Sequence, residues 1–230
     1  MAKLNGIHHL AICTGDIKAQ IEFFTDVLGM ELVALYWMHG VAGAWHGFLK
    51  LNDQSSIAFV QTPVIASIPV EIGKTHAGSP SGPSSPGTTQ HIAFNVETEA
   101  ELLTMRDRIR SRGVDVFGQI DHGFCKSIYF AGPENLTLEV STSEGAAIDA
   151  EAWIDPEVVA LAGISADELR RFKAPAGFTR PAQPVAQPVF EPSRPHMALP
   201  PKAYQALFGA SDEEISARLS ETEPPVKVLA

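Results

Sequence analysis

The chain has 230 residues, 45% of them hydrophobic, enough to bury a full core in one large domain or in one domain with an appendage. Its 17 Lys and Arg stand against 27 Asp and Glu, a formal charge of -10, which argues against nucleic acid or an anionic membrane as the main partner and serves solubility. No stretch approaches the roughly 20 apolar residues of a membrane span, and no basic start leads into an apolar leader, so a cytoplasmic protein is expected. The two cysteines, Cys13 and Cys125, read as small packed hydrophobes.

Residues 7–13 read as a strand, and Asp16 can cap a helix whose apolar positions Ile17, Ile21, Phe24 and Leu28 keep helical spacing until Gly29 stops it. Three strands follow, at 30–38, 45–51 and 56–62, with Asn52-Asp53 as the hairpin turn between the last two. The order is βαβββ. Residues 77–88, rich in Gly, Ser and Pro, read as a flexible connection. The order then repeats: a strand at 90–96, a helix at 99–112 closed by Gly113 with Leu102, Leu103, Met105 and Ile109 on its apolar face, and strands near 114–119, 125–131 and 136–142.

Both halves open alike, with His8-His9-Leu10-Ala11-Ile12 in one and Gln90-His91-Ile92-Ala93-Phe94 in the other. Alternation along a strand puts His9, Ala11 and Cys13 on one face against Leu10 and Ile12, and His91, Ala93 and Asn95 against Ile92 and Phe94. In the closing strand the apolar residues of Leu136-Thr137-Leu138-Glu139-Val140 share one face, and Glu139 faces away from them. Two histidines and a carboxylate on three separate strands can form one face of an octahedral metal site, a donor set that suits iron(II) with positions left open. His8, on the face opposite His9, is expected to pack on the helix side or bond to backbone. His39 and His46 read as pocket or surface residues. Tyr36, Trp37, Met38, Trp45 and Phe48 could line an aromatic cup, with about half facing each way.

Beyond Ser143 the character changes, which divides the chain into a domain at 1–143, with modules at about 5–62 and 89–142, and an extension at 144–230. Ser165-Ala166-Asp167-Glu168 is a capping box for short helices reaching Phe172, and Ser211-Asp212-Glu213-Glu214 is a second that starts a last short helix. Between them, prolines at 175, 181, 184, 188, 192, 195, 200 and 201 forbid a sheet interior or a helix. The stretch is either an arm packed on the core or on a partner subunit, which would cover Phe178, Val189, Phe190, Met197 and Leu199, or a disordered tail; the packed arm is the expectation, and a homo-oligomer is expected.

Together these features resemble the vicinal oxygen chelate superfamily, which includes glyoxalases, fosfomycin resistance proteins, epimerases and type I extradiol dioxygenases. The resemblance covers roughly residues 5–142. It implies an α+β fold of paired βαβββ modules forming a cupped mixed sheet around one divalent metal, here with a helical, proline-rich C-terminal extension. By the same resemblance His9, His91 and Glu139 are the ligands from the first, fifth and eighth strands. The last strand of the first module, Ile57-Ala58-Phe59-Val60-Gln61, offers no acid or histidine, only Gln61 as a weak fourth donor.

Gly118-Gln119-Ile120-Asp121-His122, followed by Ile128-Tyr129 and Pro133 ahead of Glu139, resembles the signature of the extradiol dioxygenases. Gly132 precedes the proline where the signature prefers a small polar residue or alanine, and Asn135 replaces its turn glycine, a change that a left-handed turn tolerates. The resemblance implies catalytic roles for His122 and Tyr129, which would hydrogen-bond metal-bound oxygen atoms, and for His76 as an acid/base group. It implies Fe(II) as cofactor, with Mn(II) or another divalent metal as the alternative, and a small aromatic diol and dioxygen as substrates, a chemistry of aromatic catabolism. Two rival activities follow from the same fold: a metal-dependent lyase or epimerase working through an enediolate, and a binding protein that sequesters a small aromatic molecule.

Overall fold

The computed structural model describes residues 3–227. It has two compact units: one holds residues 5–38 and 43–165, the other residues 3–4, 39–42 and 166–227. In the first unit the chain runs through β1 (His9–Cys13), α1 (Ile17–Glu22, drawn out as a π-helical turn over Phe23–Val27), β2 (Glu31–Trp37), β3 (Trp45–Asn52), β4 (Ser55–Gln61) and α2 (Pro63–Ser67). The second module follows as β5 (Ile92–Asn95), α3 (Glu99–Ser111), β6 (Val116–Asp121), β7 (Lys126–Ala131) and β8 (Thr137–Thr142), with the short helices α4 (Ala150–Trp153) and α5 (Pro156–Leu161) behind it. This is the expected α+β pair of βαβββ modules, and each module forms a four-stranded mixed sheet of its own. The strand orders are β1-β4-β3-β2 and β5-β8-β7-β6, so the repeat in sequence is a repeat in topology.

In each sheet the first and last strands of the module run parallel, Leu10 opposite Ile57 and Ile92 opposite Leu138, and the rest are antiparallel. Local chemistry sets the helix starts. Asp16 accepts from the Ala19 amide at α1, and Thr98 forms a reciprocal capping box with Glu101 at α3. The helix α2, absent from the sequence-based reading, starts at Thr62-Pro63, where the threonine hydroxyl accepts from the Ile65 amide and proline takes the first helical position.

The two modules share one core. The Phe24 ring, fully buried, meets Phe59 of β4 edge-on at 5.0 Å and Phe94 of β5 at 6.2 Å, while Phe23 stacks on Phe130 of β7. Arg108 of α3 donates to the Val27 and Asp26 carbonyls that close α1. Glu134, in the turn between β7 and β8, accepts from the Gly15 amide at 2.6 Å and from the buried Gln20 amide at 2.9 Å. Residues of α1 thus reach the inner faces of both sheets. Glu134 and Asn135 both adopt φ of 58, so the position where asparagine stands for glycine is the left-handed turn it was expected to be.

The connection at 77–88 is tied down rather than loose: His76 bridges to Ile72 and Thr89, and the Ala77 amide donates to the Thr89 carbonyl. Prolines restrict its backbone and Ser/Thr hydroxyls satisfy it locally, which supplies order without a regular element. The first unit also runs past the modules to Ser165, with Trp153 of α4 packed edge-on against Phe124 at 4.8 Å. In the other unit, α6 (Ala166–Lys173), α7 (Pro201–Phe208) and α8 (Asp212–Leu219) frame the proline-rich arm, and Ser211 and Glu214 form the expected capping box. The arm's Phe190 packs on Tyr204 of α7 at 4.8 Å, while Val189 and Met197 stay exposed.

Because Phe24 touches both sheets, Phe24→Ala is expected to lower unfolding free energy by about 3–5 kcal/mol in urea titrations, with both sheets lost in a single transition.

Candidate functional site

On each sheet, residues that alternate with the core strip face outward. In the second module Leu138 and Val140 enter the core, and Glu139 turns away from them yet is only 4% exposed. Its Oε2 lies 2.9 Å from Nε2 of His91, the residue just before β5, and its Oε1 accepts from the Ser141 hydroxyl at 2.5 Å. Ser127 Oγ, directly across on β7, lies 3.0 Å from Ser141 Oγ. Tyr129 pairs with Glu139 across the same ladder, and its hydroxyl lies 3.0 Å from His122 Nε2. Burial pushes the Tyr129 phenol up, and the Glu139 carboxylate adds to that, so the hydroxyl keeps its proton. His91, Glu139, Tyr129 and His122 therefore form one cluster on the outward face of the second module.

His9 stands elsewhere. It is exposed on the outward face of the first module, 2.9 Å from His8 between their Nδ1 atoms and edge-on to Phe48 at 5.6 Å. His8 is exposed beside it rather than packed on the helix side, since its residue precedes the first laddered position of β1. His46 shares this face: its ring lies 4.4 Å from Phe48, and Tyr36 stacks on Phe48 at 6.3 Å. Burial, with His9 nearby, holds the His46 imidazole below its ordinary value, and its buried Nε2 has no hydrogen-bond partner among the described residues. Trp37 and Trp45 take the other face, exposed at the sheet's end, so the aromatic set does divide between the two faces.

His76 is buried and lines a different hollow, of about 580 Å³, with Leu10, Ile12, Thr88, Glu134 and Leu136. Its Nδ1 meets Thr75 Oγ1 at 3.1 Å, and its Nε2 is buried with no partner among the described residues. Of the expected set, the structure brings together His91, Glu139, Tyr129 and His122, and keeps His9 and His76 apart from them. Among the described residues, no group of three or more His, Cys, Asp or Glu side chains converges to hold a metal ion. Gln61 shares the parity of Phe59 and points inward, where its Oε1 accepts from the Ile17 amide at 2.7 Å, so it caps α1 and is no fourth donor. By register, Ala58, opposite Ala11, occupies the place that Glu139 holds opposite Ala93.

The serines behind Glu139 were not singled out from sequence. Ser141 lies two residues along the same outward face, so alternation alone would have put it there; Ser127 becomes its neighbour only through the β7–β8 register.

The model of the Glyoxalase/Bleomycin resistance protein/Dioxygenase superfamily matches residues 6–140, more than half of the chain, and the chain belongs to that superfamily. The chain is 28% identical over 123 residues to a protein of Bacillus subtilis (strain 168) named "Putative ring-cleaving dioxygenase MhqA", a match that spans 52% of this chain and 38% of that relative. Among solved structures, it is similar to a glyoxylase/bleomycin resistance protein/dioxygenase domain from Frankia sp. EAN1pec (15% identity, 61% of this chain and 99% of that one, TM-score 0.49). It is also similar to the fosfomycin resistance protein FosX from Listeria monocytogenes (18% identity, 61% and 94%, TM-score 0.41). Among the described residues no helix is long and apolar enough to cross a membrane.

Gln61→Ala is expected to cost about 1 kcal/mol of stability by thermal or urea unfolding, through the lost bond to the start of α1, and to leave the outward faces unchanged.

Proposed function

We propose that the chain is a non-haem iron(II) dioxygenase of the extradiol type, which opens the ring of a catechol-like diol beside its two hydroxyls. The observation that carries this reading is the run His122, Tyr129, Glu139, His91 along one sheet face: two donors suited to a metal, flanked by two groups that can hold or pass a proton. Membership of the superfamily and the likeness to a relative named for ring cleavage support it.

The residues fit a divalent cation as far as they converge. A buried carboxylate within 2.9 Å of an imidazole, its other oxygen fixed by a serine hydroxyl, is a donor pair with its support in place. His91 and Glu139 would hold the ion; His9, expected as the third donor, stands on the outward face of the other module and would have to reach them from a second chain, and iron(II) suits two histidines and a carboxylate, with Mn(II) the alternative. When bound, the ion would supply positive charge to two vicinal oxygens of the diol and an open position for dioxygen. The protein's own work is proton handling. Tyr129, kept protonated, can donate from its hydroxyl, and His122 Nε2 beside it can take that proton up or pass one on. Phe117, stacked on Tyr129 at 5.2 Å, gives the face an aromatic wall for a flat ring.

Glu139→Ala is expected to abolish tight metal binding measured by elemental analysis, with the fold intact by circular dichroism. His122→Phe and Tyr129→Phe should keep near wild-type metal and lose about 10²-fold or more in turnover of catechols by oxygen uptake. Full turnover in both variants, or no oxygen uptake by the iron(II)-loaded protein with any catechol tested, would overturn the reading in favour of a lyase or epimerase.

A further inference from the structure

The His91 ring is aimed by side chains rather than by a strand. The residue lies just before β5, outside the strand ladder, so sheet hydrogen bonds do not fix its direction. Its Nε2 lies 2.9 Å from Glu139 Oε2, and the ring stands edge-on to Tyr129 at 6.2 Å. The other ring nitrogen, Nδ1, meets Oε1 of Gln90, the residue before it.

The neighbours of the Gln90 amide leave it one orientation. Its Nε2 donates to the Pro80 carbonyl and lies 3.4 Å from the Ser79 carbonyl, both in the connection between the modules. Carbonyl oxygens only accept, so the NH2 group faces the connection and the amide oxygen faces His91. That oxygen also only accepts, so Nδ1 of His91 carries a proton and Nε2 is the nitrogen left for a cation. A close turn holds the carbonyls in place: the Gly82 amide donates to the Ser79 carbonyl at 3.1 Å, and a Cβ on Gly82 would stand 2.7 Å from the Ala77 carbonyl oxygen. Gly78, Ser79 and Pro80 also wall a hollow of about 580 Å³ that reaches Tyr129 and Thr137, on the face that carries Glu139.

We propose that Gln90 is a positioning residue for His91, and that the 77–88 connection is through it a working part of the metal site. Gln90 fixes the tautomer and direction of the imidazole from behind, as the Ser141 hydroxyl fixes the carboxylate beside it, and the carbonyls of the connection hold Gln90. The coupling runs both ways: an ion on Nε2 steadies the connection, and loosening the connection weakens the hold on the ion. The role toward the ion rests on the reading under Proposed function; the tie between Gln90 and the connection does not.

In the full chain, Gln90→Met keeps the side chain's length and removes both its donor and its acceptor, at an exposed position where the fold should survive. Gly82→Ala disturbs the turn without touching His91. With wild-type circular dichroism in each, Mn(II) titration should give a dissociation constant raised about 10- to 100-fold in Gln90→Met and by less in Gly82→Ala. The double variant should be no weaker than Gln90→Met alone, since both act through one tie. In protein labelled with 15N-histidine and loaded with Zn(II), His91 should show an Nδ1-bound proton protected from solvent in wild type and lost in Gln90→Met, a signal that a glutamine serving only stability would not move. Mn(II) should also slow amide exchange at 77–88 in wild type and leave it unchanged in Gln90→Met. Wild-type Mn(II) affinity in Gln90→Met, a protected proton that persists there, or independent and additive losses in the double variant would each overturn the proposal. Wild-type protein that binds neither Mn(II) nor Fe(II) would overturn the metal reading and the role of Gln90 toward the ion with it; the tie would then stand only if Gln90→Met speeds amide exchange at 77–88 in metal-free protein.

Discussion

Everything at the candidate site follows from which faces of the two sheets are turned inward, and Phe24 decides that. Its ring is fully buried and lies against Phe59 of one sheet and Phe94 of the other, so the two modules share a single apolar cluster. Burying one such ring is worth about 1.5–3 kcal/mol, more than the roughly 1 kcal/mol of a typical hydrogen bond on the outward side. The apolar strips win the inward faces, and the polar residues between them take the other side by the period of two. His9 and Glu139 face outward because Leu10 and Leu138 do not.

Glu139 shows what this arrangement then demands. A carboxylate held at 4% exposure is costly unless its oxygens are met. One meets His91, the other the Ser141 hydroxyl, with Ser127 behind it and Tyr129 alongside. These partners come from β8 itself, from β7 and from the residue before β5. The acid is therefore satisfied within one module, which explains how it can be buried there without His9.

Alternation and capping made the modules legible from the chain alone. The pattern around His9, His91 and Glu139 gave the right faces, Asp16 and Thr98 begin the two main helices, and Gly29 and Gly113, both at positive φ, follow where they stop. Register across strands was not legible, since it depends on residues distant in sequence. That is why Ser127 and the inward turn of Gln61 emerge only from the structure. The relation between the modules was even less accessible. A repeat predicts two like sheets, but whether their outward faces meet within a chain depends on how Phe23, Phe24 and Arg108 engage the other module, and nothing in their spacing encodes that.

The outward faces of the two modules carry different chemistry. Ala58 stands where its counterpart is Glu139, and the first module's outward face carries rings and imidazoles where the second carries the acid and its serines. With alanine at position 58, the first face has no carboxylate at the place where the second pairs one with an imidazole. One face therefore presents imidazoles and rings, the other a buried carboxylate met by a histidine and a serine, so of the two counterpart positions only the second offers a cation a negative charge.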